Sequence, residues 1–367
     1  MNVLLQDWVT RQAELRPEAT AVALGAERLT YGHLEKTSNQ LAQALQRAGA
    51  QKADRVCFLM PKSPVAIVSM IGILKAGCIH VPLDAGSPAL RIRKIVESCD
   101  TRWLLAAGPV VPLVREILDD QCFRNRLCIG WLERGKAASS ELRVEWTADD
   151  LALMETEPVA RQALPMDAAH IPVHVRVNGD SQGSGDHAFE CDSFCQKVGR
   201  RTRSRNAESP IRGHTPLHFD LSTFDVFGTF AAGAELHLVP HVATLSPVKI
   251  AEFIRTIELT QWFSVPSVLN YMAKFDVVKS GDFPALRRVL WCGEVLPTRQ
   301  CCRIGCGASR MSISQICMAR RKPPSPAAFT MSLRTQKMNE RHCRLGPLVK
   351  GKNCFCSTTT CNLPRRG

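Results

Sequence analysis

The chain of 367 residues has no apolar run approaching the ~18 residues that would cross a bilayer. Its start lacks the unbroken hydrophobic stretch of a secretory leader, because Asp7 and Arg11 interrupt MNVLLQDWVTRQAELRPEAT. The cytoplasm is therefore the expected location, with no membrane partner. No internal repeat is evident, which argues against a solenoid. Among the 16 cysteines there is no Cys-x-x-Cys pair. His342 beside Cys343 also lacks a spaced partner, so Cys301, Cys302, Cys306, Cys317, Cys343, Cys354, Cys356 and Cys361 make a poor zinc set. The basic run RRTRSR at 200–205 has no interleaved aromatics, so no nucleic-acid partner is expected.

What is present is an ordinary globular composition, 45% hydrophobic and 22% charged, on a chain long enough for two or three layered subdomains. Two properties stand apart from it, a net charge of +13 and the cysteine count. As bulk properties they would suggest an anionic partner or metal sites. Their distribution removes that inference. Residues 171–212 hold 7 Lys/Arg against 5 Asp/Glu, and residues 301–367 hold 13 against 1. The same two segments contain 10 of the 16 cysteines, while the other 258 residues carry a net charge of −1.

Outside the two patches the hydrophobic pattern is regular. Residues 4–16 have helical spacing and stop at Pro17, and LTYGHL at 29–34 leads into a long amphipathic helix ended near Gly49. RVCFLM (55–60), CIHVPLD (78–84) and RWLLAA (102–107) read as buried strands, with helices over 64–76 and 89–100 between them. After 213 the segments 248–260 and 266–274 read as helices, and ELHLVP and LRRVLWCGEVL contain strands. Strands alternating with helices across short Gly/Pro junctions predict an α/β fold with largely parallel sheets. Within 171–212 and beyond 300 this periodicity is lost.

Four in-frame strings carry a family resemblance. LTYGHL (29–34), LKAGCIHVPLD (74–84), HFDLSTFDVFGTFAAGAELHLVP (218–240) and ALRRVLWCGEVLPT (285–298) resemble, in order, core motifs of amino-acid adenylation domains. These occur in nonribosomal peptide synthetases and carrier-protein ligases of the AMP-forming acyl-CoA synthetase group. The resemblance covers about 1–170 and 213–300. It implies a layered adenylate-forming core in two parts, 1–170 and 213–300, interrupted by irregular segments at 171–212 and 301–367, with the small C-terminal subdomain absent. Intact relatives activate an amino or other carboxylic acid with ATP and Mg, then load it onto the phosphopantetheine thiol of a carrier protein. By resemblance Asp220 holds the substrate α-amino group; the structural alternative is that it caps the following helix. Gly293 and Glu294 would lie near the nucleotide, with a plain strand-to-turn connection as the alternative. Ser222 and Asp225 are expected to be structural, and His80 to be a strand residue.

The family's Ser/Thr/Gly-rich phosphate loop, ending in Pro-Lys-Gly, is missing where it should follow 168–171. NGDSQGSGDH (178–187) has glycines without that order and reads as an exposed loop. Synonymous codons for Val173–Gly183, read one base later, can spell FTSGSTGTPKG, and the next eight codons VVITHSNV. Codons for 301–325, read two bases later, can spell LPYWMRRLPHVHFTNLYGPTEATI, where Met318-Ala319 forces the glycine. Two independent recoveries point to a disrupted reading frame, whether from gene decay, a sequencing error or a wrong gene boundary. The expectation is a chain with little or no adenylation activity, no assigned catalytic residue or metal ligand, and no productively bound ATP or Mg. The alternatives are an amino-acid-binding pseudoenzyme and a basic Cys-rich module for nucleic acid or zinc.

Overall fold

A computed structural model of the chain describes residues 3–134, 142–160, 162–164, 167–171, 173–175, 181–183, 186–187, 211–213, 215–219, 221–279, 281–291, 312–320 and 329–337. The early strand–helix units build a seven-stranded sheet. Arg55–Leu59 is its centre, with Ile79–Leu83 parallel on one side and Trp103–Ala106 parallel on the other. Cys128–Trp131 and Trp146–Thr147 extend one flank, and Ala168–His170 and Asp186–His187 extend the other. Apart from Arg55 and His80 the central strands are apolar, because both faces are covered. Val56, Phe58, Trp103 and Leu105 point into the layer between the two sheets. Their neighbours Cys57, Leu59, Leu104 and Ala106 point the opposite way, as strand geometry requires. That outer face is covered by Ile92, Ile95 and Val96 of the helix Ala89–Ser98 and by Val114 and Ile117 of Val111–Leu118.

The second sheet has eight strands, in the spatial order Phe329–Lys337, Ser312–Arg320, Arg288–Trp291, Gln261–Ser264, Ile211–Gly213, Leu236–Leu238, Thr20–Leu24 and Glu27–Thr30. Its six inner strands are parallel and its two edge strands antiparallel. Thr20–Leu24, from the start of the chain, thus pairs with Leu236–Leu238. The outer face is covered by Pro247–Thr256 and Pro266–Lys274, whose Ile250, Ile254, Leu269 and Met272 pack with Trp262, Val289 and Trp291.

Between the sheets lie Tyr31–Arg47, Pro64–Lys75 and Leu221–Ala232, with Asp7–Leu15 beside them. Pro64–Lys75 and Leu221–Ala232 are apolar on nearly all sides and buried almost throughout, which suits a central layer. The packing is close: a Cβ on Gly72 would come within 2.7 Å of Leu41. Gly77, at φ +79°, ends Pro64–Lys75 by letting the Cys78 N–H reach the Ile73 carbonyl (3.0 Å) and its own N–H reach Leu74 (3.1 Å).

The motif residues are largely fasteners of this central layer. Tyr31 is fully buried, and its hydroxyl donates to the Ala234 carbonyl at 2.7 Å, joining two motifs 203 residues apart. Lys75, of LKAG, makes an ion pair with Glu35 (2.7 Å) and donates to Asn39 Oδ1 (2.7 Å).

The described residues of the two segments read as irregular hold strands. Val173–Val175 pairs antiparallel with Ser181–Gly183, and Ile211–Gly213 enters the eight-stranded sheet. Ser312–Arg320 and Phe329–Lys337 pair along nine residues beside Arg288–Trp291. The alternation Phe329-Thr330-Met331-Ser332-Leu333 suits an edge strand once a neighbour is available, a weak signal in a basic, Ser/Pro-rich context.

Candidate functional site

In open α/β sheets, ligands bind beyond the carboxyl ends of the strands, where strand order reverses. Here that place is the end of Arg55–Leu59, since the chain runs next to one neighbour and then crosses to the other. Lys62 follows this strand, is half-buried, and donates from Nζ to the Thr215 carbonyl at 3.3 Å. The Thr215 N–H donates in turn to Asp225 Oδ2 at 3.3 Å, and both residues are buried. Ser222 Oγ donates to the carbonyls of Leu217 (3.1 Å) and Phe219 (2.7 Å). The 215–219 turn belongs to no helix or strand, so its main-chain groups are served by side chains of the helix that follows.

The same helix meets the seven-stranded sheet through Thr223, whose hydroxyl is 3.3 Å from His170 Nδ1. His170 stacks on His80, with ring centroids 4.6 Å apart and planes at 15°. His80 is fully buried, and neither ring nitrogen has a hydrogen-bond partner among the described residues. Burial, and secondarily the neighbouring His170, push its pKa well below the usual histidine range. It is thus a neutral ring at neutral pH and unsuited to carry a proton in a reaction there. On the other side of the helix, Phe224 meets Phe263 edge-on at 5.2 Å.

Of the residues singled out in the sequence, Asp220, Gly293 and Glu294 lie outside the described residues. Their flanks are described, as the buried helix Leu221–Ala232 and the buried strand Arg288–Trp291. Lys62 and Thr215 were not singled out; the available signal was a lysine just past the first parallel strand. Among the described residues no group of three or more His, Cys, Asp or Glu is placed to hold a metal ion. A cleft of about 680 Å³ between Arg115, Arg124, Cys128 and Arg143 lies elsewhere, under the outer helices, and shares no residue with this cluster.

Two largely parallel sheets with helices between and outside them, and a motif-bearing turn feeding the central helix, define the layered core of adenylate-forming ligases. The chain belongs to the AMP-binding enzyme family, which matches residues 9–172 and 189–305. Among curated proteins it is similar to an L-proline--[L-prolyl-carrier protein] ligase of Streptomyces coelicolor, at 28% identity over 79% of this chain and 54% of that protein. The ligase of the same name from Pseudomonas fluorescens is also 28% identical, over 81% of this chain and 57% of that protein. The chain therefore spans about half the length of these relatives. Among solved structures, the nonribosomal peptide synthetase FmoA3 superposes with a TM-score of 0.70 at 25% identity, covering 86% of this chain and 31% of that one. FmoA3 is also known in an AMPPNP-bound form. The Vibrio cholerae adenylation domain AlmE shares the fold, with a TM-score of 0.75 at 18% identity over 91% of this chain and 62% of that one. No helix among the described residues is long and apolar enough to cross a membrane.

Proposed function

We propose that this chain derives from an ATP- and Mg-dependent enzyme that activates an amino acid as its adenylate and passes it to the phosphopantetheine thiol of a carrier protein. In the chain as written the phosphate-binding elements are out of frame, so adenylation is lost and the amino-acid pocket survives. The observation that carries this reading is the interruption of the family match at 173–188, where FTSGSTGTPKG lies one base out of frame. The backbone there supports it. Ser181, Gln182 and Gly183 pair with Val175, His174 and Val173 in an antiparallel ladder. A phosphate loop instead turns successive N–H groups toward one anion, with a lysine adding charge. The paired residues 173–175 and 181–183 therefore do not form a cradle for a nucleotide triphosphate.

The pocket of this proposal is centred on Asp220, whose carboxylate would pair with a substrate ammonium. The carrier-protein ligases among its relatives favour an amino acid over other carboxylates. Gly293 and Glu294 would border the nucleotide in an intact relative. The domain division at 171–212 and 301–367 belongs to the same proposal.

ATP–pyrophosphate exchange tests it directly. The purified chain is expected to show no amino-acid-dependent exchange, and calorimetry to show amino-acid binding without ATP binding. Base changes that restore FTSGSTGTPKG and YGPTE should bring exchange back. Measurable exchange from the unaltered chain would overturn the proposal.

A further inference from the structure

We infer that Lys62 is a positioning residue for the amino-acid pocket: from the seven-stranded sheet it holds the 215–219 turn that delivers the chain to the helix Leu221–Ala232. The inference rests on the proposed pocket at Asp220, the position between that turn and that helix. Lys62 and Thr215 are 153 residues apart and meet through a 3.3 Å bond from the ammonium to the carbonyl. The N–H of the same Thr215 is held by Asp225 at 3.3 Å. Two side chains from two layers thus grip the main-chain groups on either side of one Cα, which fixes its φ and ψ. Ser222 then takes the carbonyls of Leu217 and Phe219, so the turn is held at both ends, with Lys62 the hold that comes from the other sheet. A charged donor suits this role, because a charge-assisted bond is stronger than a neutral one and its geometry is harder to lose. Methionine matches the stem of lysine and lacks the donor, whereas arginine keeps a cationic donor.

The test is Lys62→Met, with Lys62→Arg as rescue and Asp220→Asn as pocket control, in the full chain. Hydrogen exchange of the 215–222 amides, calorimetry against a panel of free amino acids including L-proline, and thermal unfolding are measured together. In Lys62→Met, exchange across 215–222 is expected to rise about tenfold and amino-acid affinity to fall about tenfold. The midpoint of unfolding should fall only modestly, the exchange of Tyr31–Arg47 should be unchanged, and Lys62→Arg should restore the losses. Exchange across 215–222 equal to that of the wild type overturns the inference. So does faster exchange with unaltered affinity while Asp220→Asn abolishes binding. If the wild type binds no amino acid, or Asp220→Asn binds as the wild type does, the pocket reading fails. The hold on the turn is then still decided by exchange alone.

Discussion

Replacing Lys75 by methionine removes an ammonium from the place where three helices meet. The lysine side chain is 8% exposed and its partner Glu35 14% exposed, 2.7 Å apart. Lys75 also donates to Asn39 Oδ1, and Thr10 of the first helix donates to both Glu35 oxygens at 3.0 and 3.1 Å. Burial lowers the lysine pKa, and the Glu35 carboxylate opposes that shift. Methionine keeps the apolar stem and strands the Glu35 charge. Breaking a buried pair from one side costs about 3–5 kcal/mol. The lower end, about 3 kcal/mol, applies here, because Thr10 still donates to Glu35 and some water reaches it. The double variant Lys75→Met/Glu35→Leu removes both charges and should recover to within about 1 kcal/mol of the wild type. Urea denaturation followed by tryptophan fluorescence is well suited, since Trp103, Trp131 and Trp262 are buried in different layers. A single-variant loss below about 1 kcal/mol would refute the reasoning, as would a double variant as unstable as the two single losses added together.

Two further outcomes follow from the central layer. Tyr31→Phe leaves the Ala234 carbonyl without its 2.7 Å donor and should cost about 1–2 kcal/mol in the same urea assay; an unchanged midpoint would show that the bond contributes nothing. His80 has a folded pKa well below 6.5, so in the unfolded chain it takes up a proton that the folded state refuses. Its stabilising share is full above about pH 6.5 and falls as pH drops below that value, by about 1.4 kcal/mol between pH 7.5 and 5.5. His80→Phe should flatten that slope in urea titrations at the two pH values, and an identical slope in both proteins would rule out His80 as the titrating group.

Much of the architecture was legible in the residue pattern, and the reason is local. RVCFLM, CIHVPLD and RWLLAA are predominantly apolar, with His80 the one polar residue inside a run, because strands covered on both faces disfavour polar alternation, and Ser63-Pro64 and Gly77 punctuate the helix between the first two. The family strings were equally readable, since their glycines and apolar positions answer to backbone geometry. The proposed frame breaks are a reading of the sequence alone, because they would lie in codons and have no contact to display.

What the residue pattern left undetermined is which distant parts touch. Nothing local shows that the Tyr31 hydroxyl ends on Ala234, that Thr20–Leu24 lies beside Leu236–Leu238, or that His80 stacks on His170. Such pairings depend on the order in which parallel strands are added, which many sequences with the same periodicity would leave open. The role of Lys62 is of this kind. In sequence it is a polar residue in a turn between strand and helix. Only the packing of two sheets around one helical layer brings its ammonium to a carbonyl 153 residues away.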